Sequence, residues 1–171
     1  GMRYLPLGTL RLDFGHGDVA SEYERTLDLR DATASTAYTV DGVHYSRTAF
    51  TSLADNVMAV RLEADRKGAL SFDVSYSCPL EYHVAAAGNE LTIECEGAEQ
   101  EGVPAALKAA AAVRVVTDGE VAAEEGRLSV RNAAAATVYI SAATNFISYD
   151  DVSGDARAKV EAALDNASAK S

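Results

Sequence analysis

Hydrophobic side chains recur at every second position along much of this chain, and this period constrains the fold most strongly. Residues 9–14 read Thr-Leu-Arg-Leu-Asp-Phe, and residues 70–76 read Leu-Ser-Phe-Asp-Val-Ser-Tyr. Successive side chains of a β-strand point to opposite faces, so this alternation is typical of strands with one buried face. The pattern returns near residues 27–30, 57–64, 91–95, 127–131 and 138–142. We therefore predict a mainly β protein.

Turn signals separate the predicted strands. Asp41-Gly42 stands between the apolar positions of residues 38–40 and 43–45, and a two-residue Asp-Gly loop between alternating strands favours a type I′ hairpin. Further turns are expected at Arg66-Lys67-Gly68, Gly88-Asn89, Asp118-Gly119 and Glu125-Gly126. Short strands at this spacing, with turns between them, predict an antiparallel β-sandwich.

Residues 104–116 are ambiguous. Their run of alanines, with Leu107 and Lys108, favours a helix by propensity. Val113, Val115 and Val116, which are followed by the Asp118-Gly119 turn, favour a strand instead. The residues alone leave both alternatives open.

The last segment, residues 156–170, has no Gly or Pro and is predicted to be a helix. Ser153 or Asp155 can cap its amino terminus. Its large apolar side chains are Val160 and Leu164, with two alanines beside them. This face is too thin to stabilise an isolated helix, so we expect the helix to pack against another element.

The net charge of −11, from 26 acidic and 15 basic residues, excludes two classes of partner. Nucleic acid and anionic membrane surfaces both select a basic face, so we expect neither. The length of 171 residues suits one domain with a sizeable core. No run approaches the ~20 apolar residues of a membrane span, and no secretion signal is evident, so the compartment is left open.

Neither the cysteines nor the histidines form a motif for a metal or cofactor. Cys78 and Cys95 are the two cysteines, and they are either paired across two strands or, as we favour, buried free thiols. His16, His44 and His83 are scattered, without the spacing of metal ligands on a helix. We therefore predict no metal site and no cofactor.

The loop between the last strand and the helix holds the strongest candidates for a binding site. Its candidate residues are Asn145, Tyr149, Asp150 and Asp151. Loops carry function more often than packed elements do, and Tyr149 is an aromatic residue with polar neighbours. We predict that these four residues contact a ligand or line an interface. For most of the other tyrosines we expect core packing.

Several segments together resemble a known family. They are residues 4–14 (Tyr-Leu-Pro-Leu-Gly-Thr-Leu-Arg-Leu-Asp-Phe), 23–29, 37–47, 138–146 and 149–155. In combination they resemble the amino-terminal β-sandwich domain of glycoside hydrolase family 95, the α-L-fucosidases. One departure is Leu5, which stands where the family often has Gln. The resemblance implies a supersandwich-like fold with a C-terminal helix, and a long strand rather than a helix at residues 104–116.

The resemblance also implies where the chemistry lies. In that family the catalytic carboxyl and amide residues belong to a downstream helical barrel, and no position of this chain matches them. Glycoside hydrolysis uses two carboxyl groups that face each other across the bond. The candidate acids of this chain are Asp13, Glu22, Glu24, Asp73, Glu81, Glu94, Asp150 and Asp151. Most alternate with apolar residues on strands, so we expect them on wet sheet faces and assign no catalytic residue.

The function implied is that of a non-catalytic domain of an inverting α-L-fucosidase, either an excised piece or a short gene product. Residues 1–152 would form the sandwich, and residues 153–171 the helix leading toward the absent barrel. The alternatives are a carbohydrate-binding module and, less favoured, an autonomous enzyme. The partners expected are the catalytic barrel, a glycan, and a second copy bound through exposed sandwich edges. For a parent of this kind the resemblance implies a secreted, periplasmic or cell-surface location, while the compartment of this chain is left open.

Overall fold

The structure is a computed structural model that describes residues 6–17 and 19–170. Tyr4, Leu5 and Asp18 therefore lie outside the described residues. Within the described ranges the chain forms twelve strands and one helix. Their bounds are β1 (Thr9–Phe14), β2 (Ser21–Asp28), β3 (Thr33–Val40), β4 (Val43–Ser52), β5 (Val57–Ala64), β6 (Leu70–Ser77), β7 (Glu81–Ala87), β8 (Glu90–Glu96), β9 (Lys108–Thr117), β10 (Glu120–Glu124), β11 (Arg127–Ala133), β12 (Ala135–Thr144) and α1 (Ala156–Ser168).

The strands form two antiparallel sheets that pack face to face. The small sheet has the order β1-β6-β11-β10, and the large sheet has the order β2-β3-β4-β5-β12-β9-β8-β7. One core lies between them, with Phe72 and Leu128 from the small sheet against Ile93, Val113 and Val138 from the large sheet. The predicted antiparallel sandwich with a C-terminal helix is confirmed.

The two-residue hydrophobic period reflects, in most strands, the alternation of side chains between a buried and a less buried face of the sheet. In β6, buried Leu70, Phe72 and Val74 alternate with half-buried residues whose side chains point to the other face. The hairpin between β3 and β4 turns at Asp41 and Gly42, whose φ angles are 50° and 70°. A type I′ turn requires positive φ at both positions, so the Asp-Gly prediction is confirmed there.

Strand β2 differs from the others because every one of its residues is exposed. Among the described strands, it is an edge strand that pairs only with β3 and with no strand of the small sheet. Leu27 is 67% exposed, and Leu29 lies in the turn after the strand rather than in it. Leucine alternation at residues 27–30 therefore marks the end of a strand with an uncovered inner face.

The ambiguous segment is a strand. β9 (Lys108–Thr117) pairs with β8 on one side and with β12 on the other, so its backbone hydrogen bonds come from the sheet. Ala111 faces the core between the sheets, whereas Ala110 and Ala112 face the helix. Alanine has a high helix propensity, but here its small size lets two layers approach one strand closely.

Helix α1 packs on the outer face of the large sheet. Asp155 caps it by accepting a hydrogen bond from the amide of Ala158, 2.9 Å away. Its buried residues are Val160, Ala163, Leu164 and Ala167, as the sequence predicted. They contact a patch made of Val57, Ala59, Ala110, Ala112 and Tyr139. Among the described residues, no helix has the length and apolar character needed to cross a membrane.

Candidate functional site

Asn145 follows β12 and holds together the loop that was predicted to be functional. Its Oδ1 atom accepts a hydrogen bond of 2.9 Å from the amide of Lys108. Its Nδ2 atom donates to the carbonyls of Ala106, at 3.0 Å, and Val152, at 2.7 Å. The side-chain amide thus joins three backbone segments, which gives Asn145 a structural role at the base of the loop.

The other three candidates lie on the outer part of the same loop. Tyr149 is 94% exposed. The Asp150 carboxylate accepts a hydrogen bond of 2.6 Å from the hydroxyl of Ser148. Asp151 accepts one of 2.8 Å from the amide of Ser153, and the hydrogen bonds from Ser153 lower the pKa of its carboxyl.

The structure therefore brings the four candidates into one loop, with both carboxylates engaged in local turns. Around them lie exposed apolar side chains, namely Phe146, Ile147, Tyr149 and Val152. This composition suits contact with another protein surface better than coordination of a metal. The predicted ligand or interface contact of these residues stays a prediction.

Two carboxylates, Asp73 and Glu124, share the hydroxyl of Ser129 on the outer face of the small sheet. Asp73 on β6 accepts a hydrogen bond from Ser129, at 2.9 Å, and pairs with Arg131 at 2.6 Å. Burial tends to raise the pKa of Asp73, but the Arg131 and Ser129 hydrogen bonds outweigh it, and the pKa lies below its ordinary value. Arg127 likewise lowers the pKa of Glu124, which also accepts from Ser129. Both groups are held ionised, which is the wrong state for a general acid.

The remaining acids of the sequence prediction are dispersed. They are exposed on strands or in a loop, as expected, and comprise Asp13, Glu22, Glu24, Glu81, Glu94 and Asp150. Across residues 6–17 and 19–170, no three His, Cys, Asp or Glu side chains cluster in a way that could hold a metal ion.

Both cysteines are free thiols. Cys95 is buried, as favoured from the sequence, whereas Cys78 is only half-buried. The hydroxyl of Tyr76 lies 3.4 Å from the Cys95 sulfur and also donates to the carbonyl of Leu7. Burial raises the pKa of both Cys95 and Tyr76, so each keeps its proton at neutral pH and Cys95 is a poor nucleophile.

One cluster was missed by the sequence analysis. The Arg47 guanidinium on β4 lies 3.8 Å from the ring centroid of Phe14 and 5.0 Å from that of Tyr38, to whose hydroxyl it also donates. His16, which the sequence left without an assigned role, is half-buried, and its Nε2 atom lies 2.8 Å from the Tyr38 hydroxyl. The inward position of Arg47 could have been predicted from the sequence, because the alternation of Val43, Tyr45 and Arg47 places the arginine on the core face of its strand.

Comparison with known proteins shows the family to which the chain belongs. The model of the glycosyl hydrolase family 65 N-terminal domain matches residues 1–149, and the chain belongs to that family. Among curated proteins, alpha-L-fucosidase 2 of Arabidopsis thaliana is 36% identical over 83 residues, which are 47% of this chain and 10% of that protein.

A solved structure described as a "putative kojibiose phosphorylase from human microbiome" matches 94% of this chain and 22% of its own, with a TM-score of 0.53 and 11% identity. At that identity the likeness shows the fold alone. The chain spans about a tenth of the fucosidase and about a fifth of the solved chain. The resemblance to an amino-terminal domain of glycoside hydrolases is confirmed, and the matching model is that of family 65 where the residues had suggested family 95.

Proposed function

We propose that this chain is the non-catalytic amino-terminal sandwich of a glycoside hydrolase that cleaves terminal α-L-fucosyl linkages with inversion. The observation that supports this most directly is the fucosidase relative, which aligns over 83 residues within a chain that is nearly all family domain. The chemistry would be done by a helical catalytic barrel on the same polypeptide. The sandwich would support that barrel and shape the rim of its active site.

The electrostatics of the described residues are consistent with a scaffold. The carboxyl groups with a displaced pKa all have it lowered, and they are Asp55, Asp73, Asp118, Glu124 and Asp151. A glycosidase needs one carboxyl whose pKa is raised, so that it is protonated at working pH. None of these five groups suits that role.

The proposal includes a division of labour along the chain. Residues 1–152 would be the sandwich, and residues 153–171 would be the connection toward the barrel. The exposed loop with Phe146, Ile147 and Tyr149 lies directly before that connection. It is therefore the surface on which we place the contact with the barrel.

The first experiment is a hydrolysis assay on the isolated 171-residue chain with p-nitrophenyl α-L-fucoside and fucosylated oligosaccharides. We expect no release of fucose above the buffer blank. In parallel, the mass of the native polypeptide in its source cells would be measured with an antibody against this domain. We expect a much larger polypeptide, which hydrolyses the same substrates.

Two results would overturn the proposal. Hydrolysis by the isolated chain would place the chemistry in the sandwich itself. A native polypeptide no longer than this chain would leave no barrel to support. A polypeptide with residues 1–152 deleted provides the matched test, since we expect it to be insoluble or inactive.

A further inference from the structure

The inner face of the large sheet carries an ordered row of cationic and polar side chains. Strand register places Arg25 opposite Thr36, and Thr36 opposite Arg47. Directly opposite residues in an antiparallel sheet point to the same side. Thr36 and Arg47 have the same parity as buried Tyr38 and Tyr45, so the row faces inward. At about 4.8 Å per strand, the α-carbons of the two arginines lie roughly 10 Å apart, with the threonine between them.

An apolar row runs beside this one, and the small sheet leaves it open. It consists of Leu27, Ala34, Ala49 and Val60, which are linked by the same register. Ala34 and Leu27 are exposed, although they lie on the core side of their strands. We call the surface formed by Arg25, Leu27, Ala34, Thr36, Arg47 and Ala49 the arginine ledge. These six residues are among the nine that line an open groove of about 490 Å³.

Among the described residues, no acidic side chain balances the charges on the ledge. Neither Arg25 nor Arg47 has an ion-pair partner among the described residues, although the whole chain has 26 acids. The inward positions of β2 to β5 contain no carboxylate. The Nε atom of Arg47 is buried and has no hydrogen-bond partner among residues 6–17 and 19–170. A buried donor left unpaired costs free energy. Arg47 is also among the residues that line the groove, so an acceptor that enters there meets an arginine without an ion-pair partner among the described residues.

A ring platform stands at one end of the ledge. Tyr23 is 59% exposed, and its ring stacks on that of Tyr38, with the centroids 6.5 Å apart. Tyr38 in turn is the hydrogen-bond acceptor of Arg47. An exposed aromatic face, a hydroxyl and an apolar floor match the alternation of C–H and O–H groups on a pyranose ring.

We propose that the arginine ledge binds an acidic saccharide, with the carboxylate of a uronic acid held by Arg25 and Arg47. Guanidinium groups present parallel N–H donors that fit a carboxylate, and such charge-assisted bonds are stronger than neutral ones. Thr36 contacts a ring hydroxyl, and the apolar row contacts the C–H face. The proposal rests on the ledge alone and is independent of the scaffold function.

The test is an NMR titration of the isotope-labelled 171-residue chain with D-galacturonate and, separately, with D-galactose. The two sugars share their ring stereochemistry and differ in the carboxylate. We expect galacturonate at millimolar concentrations to cause saturable amide shifts in β2, β3 and β4, and galactose to cause none there. Added salt should weaken the binding of galacturonate.

Three variants locate the site. Arg25→Gln and Arg47→Gln should each raise the dissociation constant for galacturonate at least tenfold. Arg30→Gln removes the same charge from the exposed turn after β2 and should leave the constant unchanged. Since Arg47→Gln also removes packing on Phe14, the variant at exposed Arg25 keeps the test valid if the other fails to fold.

The proposal is overturned if galacturonate causes no saturable shift, if galactose binds equally well, or if both ledge variants bind as the unaltered chain does. None of these results touches the scaffold function, because the hydrolysis assay and the native polypeptide mass decide that separately.

Discussion

At the scale of single residues, Asp118 shows how one carboxylate can fix two turns. Its Oδ1 atom accepts hydrogen bonds from the amides of Ala134 and Ala135, at 2.9 and 3.0 Å. It thereby joins the turn after β9 to the start of β12. The bonds from Ala135 and Ala134 hold the pKa of Asp118 below its ordinary value of 3.8.

This pKa gives a prediction about acid stability. A carboxyl whose pKa is lower in the folded state stabilises the fold above its unfolded pKa, and the effect is lost as the pH falls through the folded value. In Asp118→Asn the side-chain amide oxygen still accepts hydrogen bonds but does not titrate. We therefore expect the free energy of unfolding of this variant to fall less than that of the unaltered chain when the pH is lowered from neutral to below 3.8. Urea unfolding at both pH values measures this, and identical losses in the two proteins would contradict it.

Gly119 gives a second prediction at this scale. A β-carbon there would lie 2.5 Å from the carbonyl oxygen of Arg131 and 2.7 Å from the β-carbon of Ala133. We expect Gly119→Ala to lower the free energy of unfolding by about 1–3 kcal/mol through overpacking. Gly15→Ala is the control, because nothing lies within 4 Å of its β-carbon position. Thermal unfolding of the two variants compares them, and equal midpoints would show that the Gly119 turn relaxes freely.

At the scale of elements, the helix is held by a small apolar patch. Leu164 is fully buried against the outer face of the large sheet. We expect Leu164→Ala to lower the free energy of unfolding by about 2–5 kcal/mol, since the change leaves a cavity that the sheet cannot fill. Asn166→Ala, at an exposed position of the same helix, is the control. Urea unfolding with hydrogen exchange measures both, and an unchanged Leu164→Ala protein would mean that the helix adds little to stability.

The elements also show what the sequence could predict and what it could not. The strands, the hairpin at Asp41-Gly42 and the buried face of α1 follow from local periodicity and turn chemistry. β9 does not, because pairing with two neighbouring strands overrides the propensity of its alanines. The arginine ledge depends on the register between β2 and β4, which are not adjacent. The inward position of Arg47 could be predicted from the sequence, but the apolar row beside it that the small sheet leaves uncovered could not.

At the scale of the whole molecule, the two edges of the large sheet differ in their protection. β2 carries Glu22, Glu24, Arg25 and Asp28, and charged side chains on an edge discourage pairing with another chain. β7 carries alanine and valine over most of its length, with charge confined to Glu81. Among the described strands β7 pairs only with β8, so one side of its backbone is left open.

This difference predicts where self-association occurs. We expect two copies of the chain to associate by antiparallel pairing of their β7 strands. In such a pairing the alanine stretch of one copy lies against the other strand without bringing like charges opposite each other. Sedimentation should show the average mass rising with concentration, and Ala85→Lys should return the chain to monomer. Thr26→Lys places the same charge on β2 and should have no effect. A monomer at every concentration would refute the dimer.

The position of β12 has a consequence for how the protein is made. β12 joins β5 to β9 at the middle of the large sheet, yet among the described strands it comes after both of them in sequence. On the ribosome, the local meanders β2 to β5 and β7 to β9 emerge before β12 does. Until then they are two half-sheets, and β5 and β9 are their unpaired edges. The sheet becomes continuous only when β12 emerges. Synthesis that stalls before Ala135 therefore leaves aggregation-prone halves, and the interval before β12 emerges is when these strands most need a chaperone.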